Sequence, residues 1–253
     1  MDKELIQKRF TKSIKTYDSE AIAQKLIAEE IISGMKLLGI SNLDSVLEIG
    51  SGTGLLTKML LDNFYIKNIK IIDLISETNN LQIQLSEQYP ETKITALIGD
   101  VEQIIIKEQF DLIVSSSTLH WLSDFSSFSK KIYSWLNASG FFIFNTFGPE
   151  NMKEIRSVSK IGLNYNSCET VLSLLLQSFQ VEKNYSQEIC LKFSSPEDIL
   201  RHLKKTGVNG LQKQTWTKSK YKAFIANYYQ YCNCCNHVQL TYHPMFYYCR
   251  KNK

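Results

Sequence analysis

Gly50, Gly52 and Gly54 occupy alternate positions in the stretch VLEIGSGTGLL, residues 46–56. Glycines at this density let a backbone turn tightly and approach a ligand closely. A dinucleotide-binding loop has the spacing G-x-G-x-x-G, whose third glycine allows a helix to pack closely on a strand. Here the third glycine comes one residue early and Leu55 follows it. The stretch therefore predicts a loop that holds a ligand other than a pyrophosphate.

Three acidic residues, Glu48, Asp73 and Asp100, stand in or just after three successive apolar segments. Ligands of parallel sheets bind outside the carboxyl ends of the strands, so we expect these carboxylates at one site. Asp73 is suited to accept hydrogen bonds from ribose hydroxyls, and Asp100 to receive an adenine amino group. The acids would repel a nucleoside triphosphate, and the chain has no G-x-x-x-x-G-K-S/T loop. A ligand with an adenosine end and a cationic amine and sulfonium end fits better.

Alternating strands and helices are predicted to position these residues. Apolar and β-branched segments predict strands at 45–49, 69–72, 93–98, 110–115 and 140–147. Helical spacing predicts helices that end at Gly39 or span 55–63 and 125–136. This alternation predicts an α/β fold with a parallel, doubly wound sheet.

The C-terminal third has a different pattern. Ser195-Pro196-Glu197-Asp198 is a strong helix start, and this helix should end near Thr206-Gly207. A second helix is predicted at 218–231, with an apolar stripe of Tyr221, Phe224, Ile225, Tyr228 and Tyr229. Strands are predicted at 188–193 and 245–250. The two helices would then be an excursion between the last two strands of the sheet.

The charge of the chain is unevenly distributed. Its net charge is +4, but residues 199–253 carry ten Lys or Arg and no Asp or Glu, which leaves 19 basic against 25 acidic residues before them, or −6. Two interpretations remain open. The asymmetry is either a property of a solvated surface or a basic platform for an acidic partner.

Composition limits the class of protein. The chain has 253 residues and 43% apolar content, enough for a real core in one α/β domain or in one domain with a subdomain. The charged N-terminus lacks a secretory signal, and no apolar run approaches a membrane span. All six cysteines lie in the C-terminal third and form no evident disulfide framework. We expect a soluble, cytoplasmic protein without a membrane partner.

The glycine loop and the three acids resemble the class I S-adenosylmethionine-dependent methyltransferases, whose first motif is E/D-x-G-x-G-x-G. Glu48 to Gly54 matches this motif fully, Asp73 matches the ribose-binding acid, and Gly99-Asp100 matches the adenine-side acid. The resemblance implies S-adenosylmethionine as cofactor and S-adenosylhomocysteine as product. The residues it implies for the cofactor site are Glu48, Gly50, Gly52, Gly54, Asp73, Leu74, Asp100, Val101 and Ser115.

A nucleic-acid substrate is not expected. Methyltransferases that act on nucleic-acid amines carry D/N-P-P-Y/F after the fourth strand, whereas this chain has Ser115-Ser-Ser-Thr-Leu-His-Trp121. Cytosine C5 enzymes need a Pro-Cys nucleophile, and none of the four prolines precedes a cysteine.

Segments outside the core resemble the BioC family, the malonyl-acyl-carrier-protein O-methyltransferases of biotin synthesis. The resemblance runs nearly end to end, through "KRFTKSIKTYDSEAIAQ", "LHWLSD", "FNTFGPENMKEI", "LRHLKKTGVNG" and "LTYHPMFYYCRK". Two departures are His120, where the family commonly has Gln, and Asn145-Thr146, where T-T is usual.

The family resemblance implies a fold and a reaction. The fold is a Rossmann-like, mainly parallel seven-stranded sheet whose last strand is antiparallel. The implied layout is a helical lid at 1–24, a cofactor-binding core at 40–193, a helical cap at 194–239 and a last strand at 240–253. The substrate would be the free carboxylate of a malonyl group on acyl carrier protein, and the enzyme a monomer. Because that carboxylate is already ionised, rate should come from in-line placement and desolvation.

Four residues are candidates for the methyl-transfer site. Tyr17 of the predicted lid would close over the methyl donor and orient the carboxylate. His120 and Trp121 should border the pocket just past the fourth strand. Arg156 is the first candidate to anchor a carboxylate or phosphate, with Lys153 as the alternative.

Alternatives remain for the metal content and for the function. Cys232, Cys234 and Cys235 with nearby histidines invite a zinc site, but zinc sites need two separated ligand pairs, so we expect free thiols and no metal. Rival functions are methylation of a small free acid, or a non-methylating assembly factor or hydroxylase with this fold. The intact glycine loop and acids disfavour the last.

Overall fold

A seven-stranded sheet forms the centre of the computed structural model, which describes residues 2–160, 162–208, 217–232 and 237–252. Within those residues the sheet contains β1 (Asn42–Ile49), β2 (Tyr65–Asp73), β3 (Lys93–Ile98), β4 (Phe110–Ser115), β5 (Leu136–Phe147), β6 (Phe179–Ser186) and β9 (Pro244–Lys251). The order is β3-β2-β1-β4-β5-β9-β6, and β9 runs antiparallel to both of its neighbours. The predicted mainly parallel sheet with an antiparallel last strand is confirmed.

Helices cover both faces of this sheet. They are α1 (Lys3–Glu20), α2 (Ile22–Leu37), α3 (Leu55–Asn63), α4 (Thr78–Gln88), α5 (Phe125–Trp135), α6 (Lys153–Ser159), α7 (Cys168–Leu175), α8 (Pro196–Lys205) and α9 (Lys218–Cys232). Alternate residues of a strand face opposite sides. Val46 therefore packs with α2, α3 and α4 on one face, while Leu47 packs with α5 and α7 on the other.

The predicted place of the 188–193 strand in the main sheet is wrong. The segment predicted at 188–193 does form a strand, β7 (Ile189–Phe193), but it pairs with β8 (Val238–Tyr242) in a separate two-stranded sheet. The outer neighbour of β9 in the main sheet is β6, which the sequence patterns missed. Most of β6 is exposed or half-exposed, so its sequence FQVEKNYS lacks the apolar run of a buried strand. The predicted boundary at 240 consequently divides β8.

The cap consists of α8 and α9 between β7 and β8. The predicted start of α8 is confirmed: the Ser195 side chain accepts a hydrogen bond from the Asp198 backbone at 3.3 Å, and Pro196 is the first helical residue. The predicted apolar stripe of α9 is narrower than expected. Phe224 and Tyr228 are buried, but Tyr221 and Tyr229 are 39% and 50% exposed, because α9 rests on α6 and β8 along one side only.

Candidate active site

The glycine loop connects β1 to α3, and all three of its glycines have left-handed backbone angles, with φ of 78°, 54° and 82°. A Cβ at Gly50 would lie 2.0 Å from the Thr118 hydroxyl, and one at Gly54 would lie 2.6 Å from Leu81. A Cβ at Gly52 would meet no described atom within 4 Å. Gly50 and Gly54 therefore serve the packing of the loop, whereas Gly52 lies open to the cleft beside it.

Asp73 fixes the position of this loop. Its carboxylate accepts hydrogen bonds from the backbone nitrogens of Gly52, at 2.7 Å, and Ile75, at 3.2 Å. Burial raises the pKa of Asp73, and these backbone donors partly offset the effect. The neighbouring Leu74 lines the same cleft. Asp73 thus joins the loops that follow β1 and β2 on the edge where the sequence predicted a ribose.

Glu48 is a buried acid, and one of its carboxylate oxygens lacks a hydrogen-bond partner in the described part of the chain. It is 1% exposed, lines the cleft, and its Oε2 has no hydrogen-bond partner among the described residues. Burial raises the pKa of Glu48 to about 7. A cation in the cleft would satisfy this oxygen and favour its ionised form. The donor set therefore fits a ligand that carries a positively charged amine and sulfonium.

Asp100 and Val101 line the cleft after β3, as predicted for residues of a shared site. Both Asp100 carboxylate oxygens lie 2.7 Å from the Lys3 ammonium of α1, which also contacts Glu102. The acid predicted for the adenine side thus already has a cationic partner from the lid.

Ser115 lies deeper in the sheet than the other predicted cofactor residues. It is fully buried, and its hydroxyl donates to the Ile49 carbonyl at 2.8 Å, which ties the end of β4 to β1. Ser116, Ser117 and Thr118 line the cleft in its place. Ser117 has a φ of 53°, and its backbone nitrogen donates to Asn145 Oδ1 at 2.8 Å.

Helix α1 closes the cleft from above. Besides the Lys3 contacts, Gln7 Nε2 donates to the Leu74 carbonyl at 2.6 Å, and the Thr53 hydroxyl donates to Asp18 at 2.5 Å. The same helix contacts the cap, where the Thr16 hydroxyl donates to the Lys205 carbonyl at 2.9 Å and Glu20 pairs with the Lys205 ammonium at 2.6 Å. The lid thus bridges the cofactor-binding core and the cap.

Two cavities meet under this lid. The cleft beside the glycine loop, called the cofactor cleft after its predicted ligand, has a volume of about 1150 Å³ including its open mouth. The second cavity, which His120 and Tyr165 line, has a volume of about 390 Å³ measured in the same way. Five residues line both and form the junction between them: Phe10, Tyr17, Gln24, Ser117 and Trp121. The structure therefore brings two of the predicted methyl-transfer residues, Tyr17 and Trp121, to the boundary of the cavities.

The predicted His120 lies in the second cavity, in a short 3-10 turn at Leu119–Trp121. Its ring packs 4.7 Å from Trp121 and 4.9 Å from Phe147, measured between ring centres. Burial lowers the pKa of His120 to about 3, so the ring is neutral at physiological pH. Burial also raises the pKa of Tyr17, whose hydroxyl stays protonated.

Arg156 and Lys153, the predicted anchors of a carboxylate, are absent from the described lining of both cavities. The Arg156 guanidinium contacts the Pro149 carbonyl and lies 5.8 Å from the centre of the Tyr165 ring. The Lys153 ammonium pairs with Glu188 at 3.0 Å and Glu150 at 3.6 Å. Arg156 thus lies behind the cavity residue Tyr165, whereas Lys153 pairs with two exposed acids.

Several polar residues of the second cavity were not predicted from the sequence. They are Gln24, Ser117, Asn151, Tyr165 and Tyr242. Tyr242, Asn151 and Gln24 lie in segments that carried the family resemblance, but nothing in the sequence marked them or Ser117 and Tyr165 as lining residues. They come from separate segments and meet only through the packing of lid, core and cap.

The described residues contain neither a membrane-spanning helix nor a metal-binding cluster. No helix among them is long and apolar enough to cross a membrane, and no group of three His, Cys, Asp or Glu among them has metal-binding geometry. Cys168, Cys190 and Cys249 carry free thiols. Cys234 and Cys235 of the candidate zinc cluster lie outside the described residues.

Comparisons with known proteins agree with this architecture. Residues 47–144 match the family model described as a methyltransferase domain. The malonyl-(acyl-carrier protein) O-methyltransferase of Chlorobium luteolum is 36% identical over 100% of this chain and 97% of its own. The enzyme of that name from Bacteroides thetaiotaomicron is 35% identical over the full length of both chains.

Solved structures share the fold at lower identity. The YcgJ protein of Bacillus subtilis aligns with a TM-score of 0.63 at 13% identity, over 89% of this chain and 99% of its own. The N-methyltransferase NodS of Bradyrhizobium japonicum, in complex with S-adenosylhomocysteine, aligns with a TM-score of 0.50 at 16% identity, over 84% of this chain and 80% of its own.

Proposed function

Because the chain belongs to the malonyl-(acyl-carrier protein) O-methyltransferase family, we propose that it methylates the free carboxylate of a malonyl group on acyl carrier protein. One observation carries the proposal: a cleft lined by three carboxylates adjoins an uncharged cavity at a common junction. A cationic methyl donor suits the first space and an anionic acceptor the second. The product is the methyl ester that starts the pimeloyl part of biotin.

The cofactor contacts follow from the geometry of the cleft. Asp73 would accept from the ribose hydroxyls, Gly52 would let the backbone approach the ligand, and Glu48 would face its cationic end. When bound, S-adenosylmethionine supplies a methyl group that bonds to a carboxylate oxygen while the sulfur keeps the electron pair and leaves as S-adenosylhomocysteine. The protein's residues bind, orient and exclude water around that transfer.

No general base is required of the protein. A malonyl carboxylate is ionised at neutral pH, and His120, with a pKa of about 3, remains an uncharged wall. Tyr17 and Trp121 at the junction would hold the acceptor oxygen in line and keep water out. Arg156 stays a candidate that acts from behind the wall.

A side-by-side assay tests the function. We expect the purified protein to transfer methyl groups to malonyl carrier protein with a higher kcat/KM than to malonyl-CoA or to free diacids. Activity on free diacids alone would favour the small-acid function. Measurable cofactor binding without methyl transfer to any of the three would favour the assembly factor or hydroxylase.

Docking of the acidic carrier protein should depend on the basic cap. Lys204 is exposed on α8, whereas Lys205 pairs with Glu20 of the lid and Arg201 with Asp198 of its own helix. Lys218, Lys220 and Lys222 add exposed charge on α9, while Lys213 lies outside the described residues. On the lid, Lys8, Lys12 and Lys15 are exposed and Arg9 is half-buried. Lys204 is the cleanest test, because Lys205→Glu would also repel Glu20.

We expect Lys204→Glu to raise the KM for malonyl carrier protein roughly 3- to 10-fold, with little change for malonyl-CoA. Added salt should shrink the difference, since exposed charges are screened over about 8–10 Å. Lys67→Glu, exposed at the other end of the sheet, is the matched control. An equal loss on both substrates would contradict docking at Lys204.

A further inference from the structure

The second cavity must hold an anion without a cationic side chain among its described lining residues. A carboxylate placed there can be stabilised by neutral hydrogen-bond donors, provided that their protons are not already committed to the protein. The group that binds the carboxylate must therefore be a neutral donor whose proton is not used within the protein.

Tyr165 meets this condition, and its partners fix the direction of its hydrogen bonds. The Asn151 side-chain oxygen accepts from the His243 backbone nitrogen at 3.2 Å, so the Asn151 amide nitrogen faces the other way. That nitrogen donates to the Tyr165 hydroxyl oxygen at 2.8 Å. Because this oxygen acts as acceptor, the hydroxyl proton of Tyr165 remains available to the cavity that Tyr165 lines.

Tyr242, the neighbouring hydroxyl, is engaged by the protein. It lies 2.9 Å from His202 Nε2, and it is 1% exposed. The Tyr17 hydroxyl makes no hydrogen bond to a described residue, but Tyr17 lines the junction with the cofactor cleft. Tyr17 therefore lies at the junction, whereas Tyr165 lines the second cavity alone.

Arg156 supports Tyr165 from behind. Its guanidinium lies 5.8 Å from the centre of the Tyr165 ring, and its stem would collide with a Cβ at Gly162, 2.4 Å away. Burial raises the pKa of Tyr165 to about 12, and both the Asn151 hydrogen bond and the Arg156 charge act in the opposite direction. The hydroxyl is thus protonated at physiological pH, and its neighbours favour donation of its proton.

We propose that the Tyr165 hydroxyl binds the substrate's free carboxylate through the oxygen that faces away from the methyl donor, and that Asn151 and Arg156 are positioning residues acting through Tyr165. This inference rests on the proposed function and names the group that recognises the acid. An uncharged anchor leaves the carboxylate its negative charge, and hence its nucleophilicity and its attraction to a cationic donor.

Binding to the protein loaded with S-adenosylhomocysteine tests the proposal without turnover. We expect Tyr165→Phe to raise the Kd for malonyl carrier protein about 10- to 100-fold, the usual range for one hydrogen bond to a charged group. The Kd for acetyl carrier protein, which lacks the carboxylate, should not change, nor should the affinity for S-adenosylhomocysteine. Tyr65→Phe, at the start of β2 and 62% exposed, is the matched control, and the Tm of each variant reports folding.

A double-mutant cycle separates Tyr165 from Arg156. We expect Arg156→Gln to weaken malonyl carrier binding less than Tyr165→Phe does, and to have almost no further effect in the Tyr165→Phe background. A full effect of Arg156→Gln in that background would show direct binding by the cation and overturn the proposal. An equal loss for the malonyl and acetyl carriers would show that Tyr165 only shapes the cavity.

Failure of the proposed function gives a different result. If the wild-type protein methylates free diacids and not the carrier, the carrier is the wrong substrate. The same cycle is then run with the diacid against its half-amide, which lacks the second charge, and Tyr165→Phe should again weaken only the binding of the fully charged acid.

Discussion

The cofactor cleft and the second cavity differ in the charge of their walls. The cleft is lined by the carboxylates of Glu48, Asp73 and Asp100, whereas the described lining of the second cavity has no ionised side chain at neutral pH. The acidic wall of the cleft would repel an anion, whereas the described lining of the second cavity has no carboxylate that would do so. A cation in the cleft would in turn attract an anion to the junction.

The two spaces also differ in how they are built. The cleft is formed by strand ends and by backbone hydrogen bonds, such as the one from Gly52 to Asp73. The second cavity is formed by side chains from α1, α2, the segment after β4, the end of β5 and the turn after it, the segment between α6 and α7, the turn after α8, and β8. The sheet pre-organises the first space, and the second exists only when lid and cap are docked.

The largest effect is expected from loss of charge in the cleft. Asp73→Ala removes the acceptor that holds Gly52 and Ile75, and we expect S-adenosylmethionine affinity to fall by roughly 1.5–3 kcal/mol, or about 10- to 150-fold, by calorimetry. Binding of malonyl carrier protein should change much less. Asp73→Asn, which keeps one acceptor oxygen, should fall between, and the exposed Glu91→Ala should have no effect. Unchanged cofactor affinity would remove Asp73 from the site.

Protonation of Glu48 should weaken the contrast between the two spaces reversibly. Its pKa of about 7 lies above the ordinary 4.5, so between pH 4.5 and 7 the folded protein retains a proton that the unfolded chain releases. The free energy of unfolding then falls as pH rises through this window. Affinity for the cationic cofactor should rise over the same range, as the carboxylate ionises. Glu48→Gln should flatten both profiles in denaturation and calorimetric titrations, and unchanged profiles would contradict the assignment.

The smallest effect is expected from the lid. Lys3→Ala removes the pairs with Asp100 and Glu102, which are partly exposed, so we expect only a roughly 2- to 5-fold faster release of S-adenosylhomocysteine in stopped-flow measurements. The KM for malonyl carrier protein should be unchanged, since Lys3 lies on the cleft side. Lys8→Ala, exposed on the same helix, is the control. A larger change in the KM for malonyl carrier protein than in the release of S-adenosylhomocysteine would show that Lys3 does not act on the cleft alone.

The cofactor cleft could be predicted from the sequence because its glycine loop, strands and helix are each defined by a short segment of the chain. The bounds of α3, β3 and β4 match the predicted ones, since each is a short apolar segment bordered by glycine or polar residues. The predicted acids lie around one cleft because parallel strands end at a common edge. Ser115 differs because its side chain is fully buried at the end of β4, where its hydroxyl donates to the Ile49 carbonyl.

The lining of the second cavity could not be predicted in this way. Gln24 belongs to a helix whose apolar spacing predicts only core packing, and Tyr165 lies in a segment without regular structure. Their proximity depends on contacts far apart in sequence, such as Asn151 with Tyr165 and with the His243 backbone. The edge strand β6 was missed for a related reason: exposure removes the apolar pattern that marks a buried strand.

Helix α1 meets α2 at a single residue, Ala21, and this junction makes the lid a lever. Eighteen residues at a rise of 1.5 Å give an arm of about 27 Å, so a rotation of about 10° at Ala21 displaces the Lys3 end by about 5 Å and the Thr16 region by only about 1 Å. The first displacement breaks the contact of Lys3 with Asp100, while the second leaves Thr16 close to Lys205. Such a rotation would open the cleft first at its Asp100 end and would not require the lid to leave the cap.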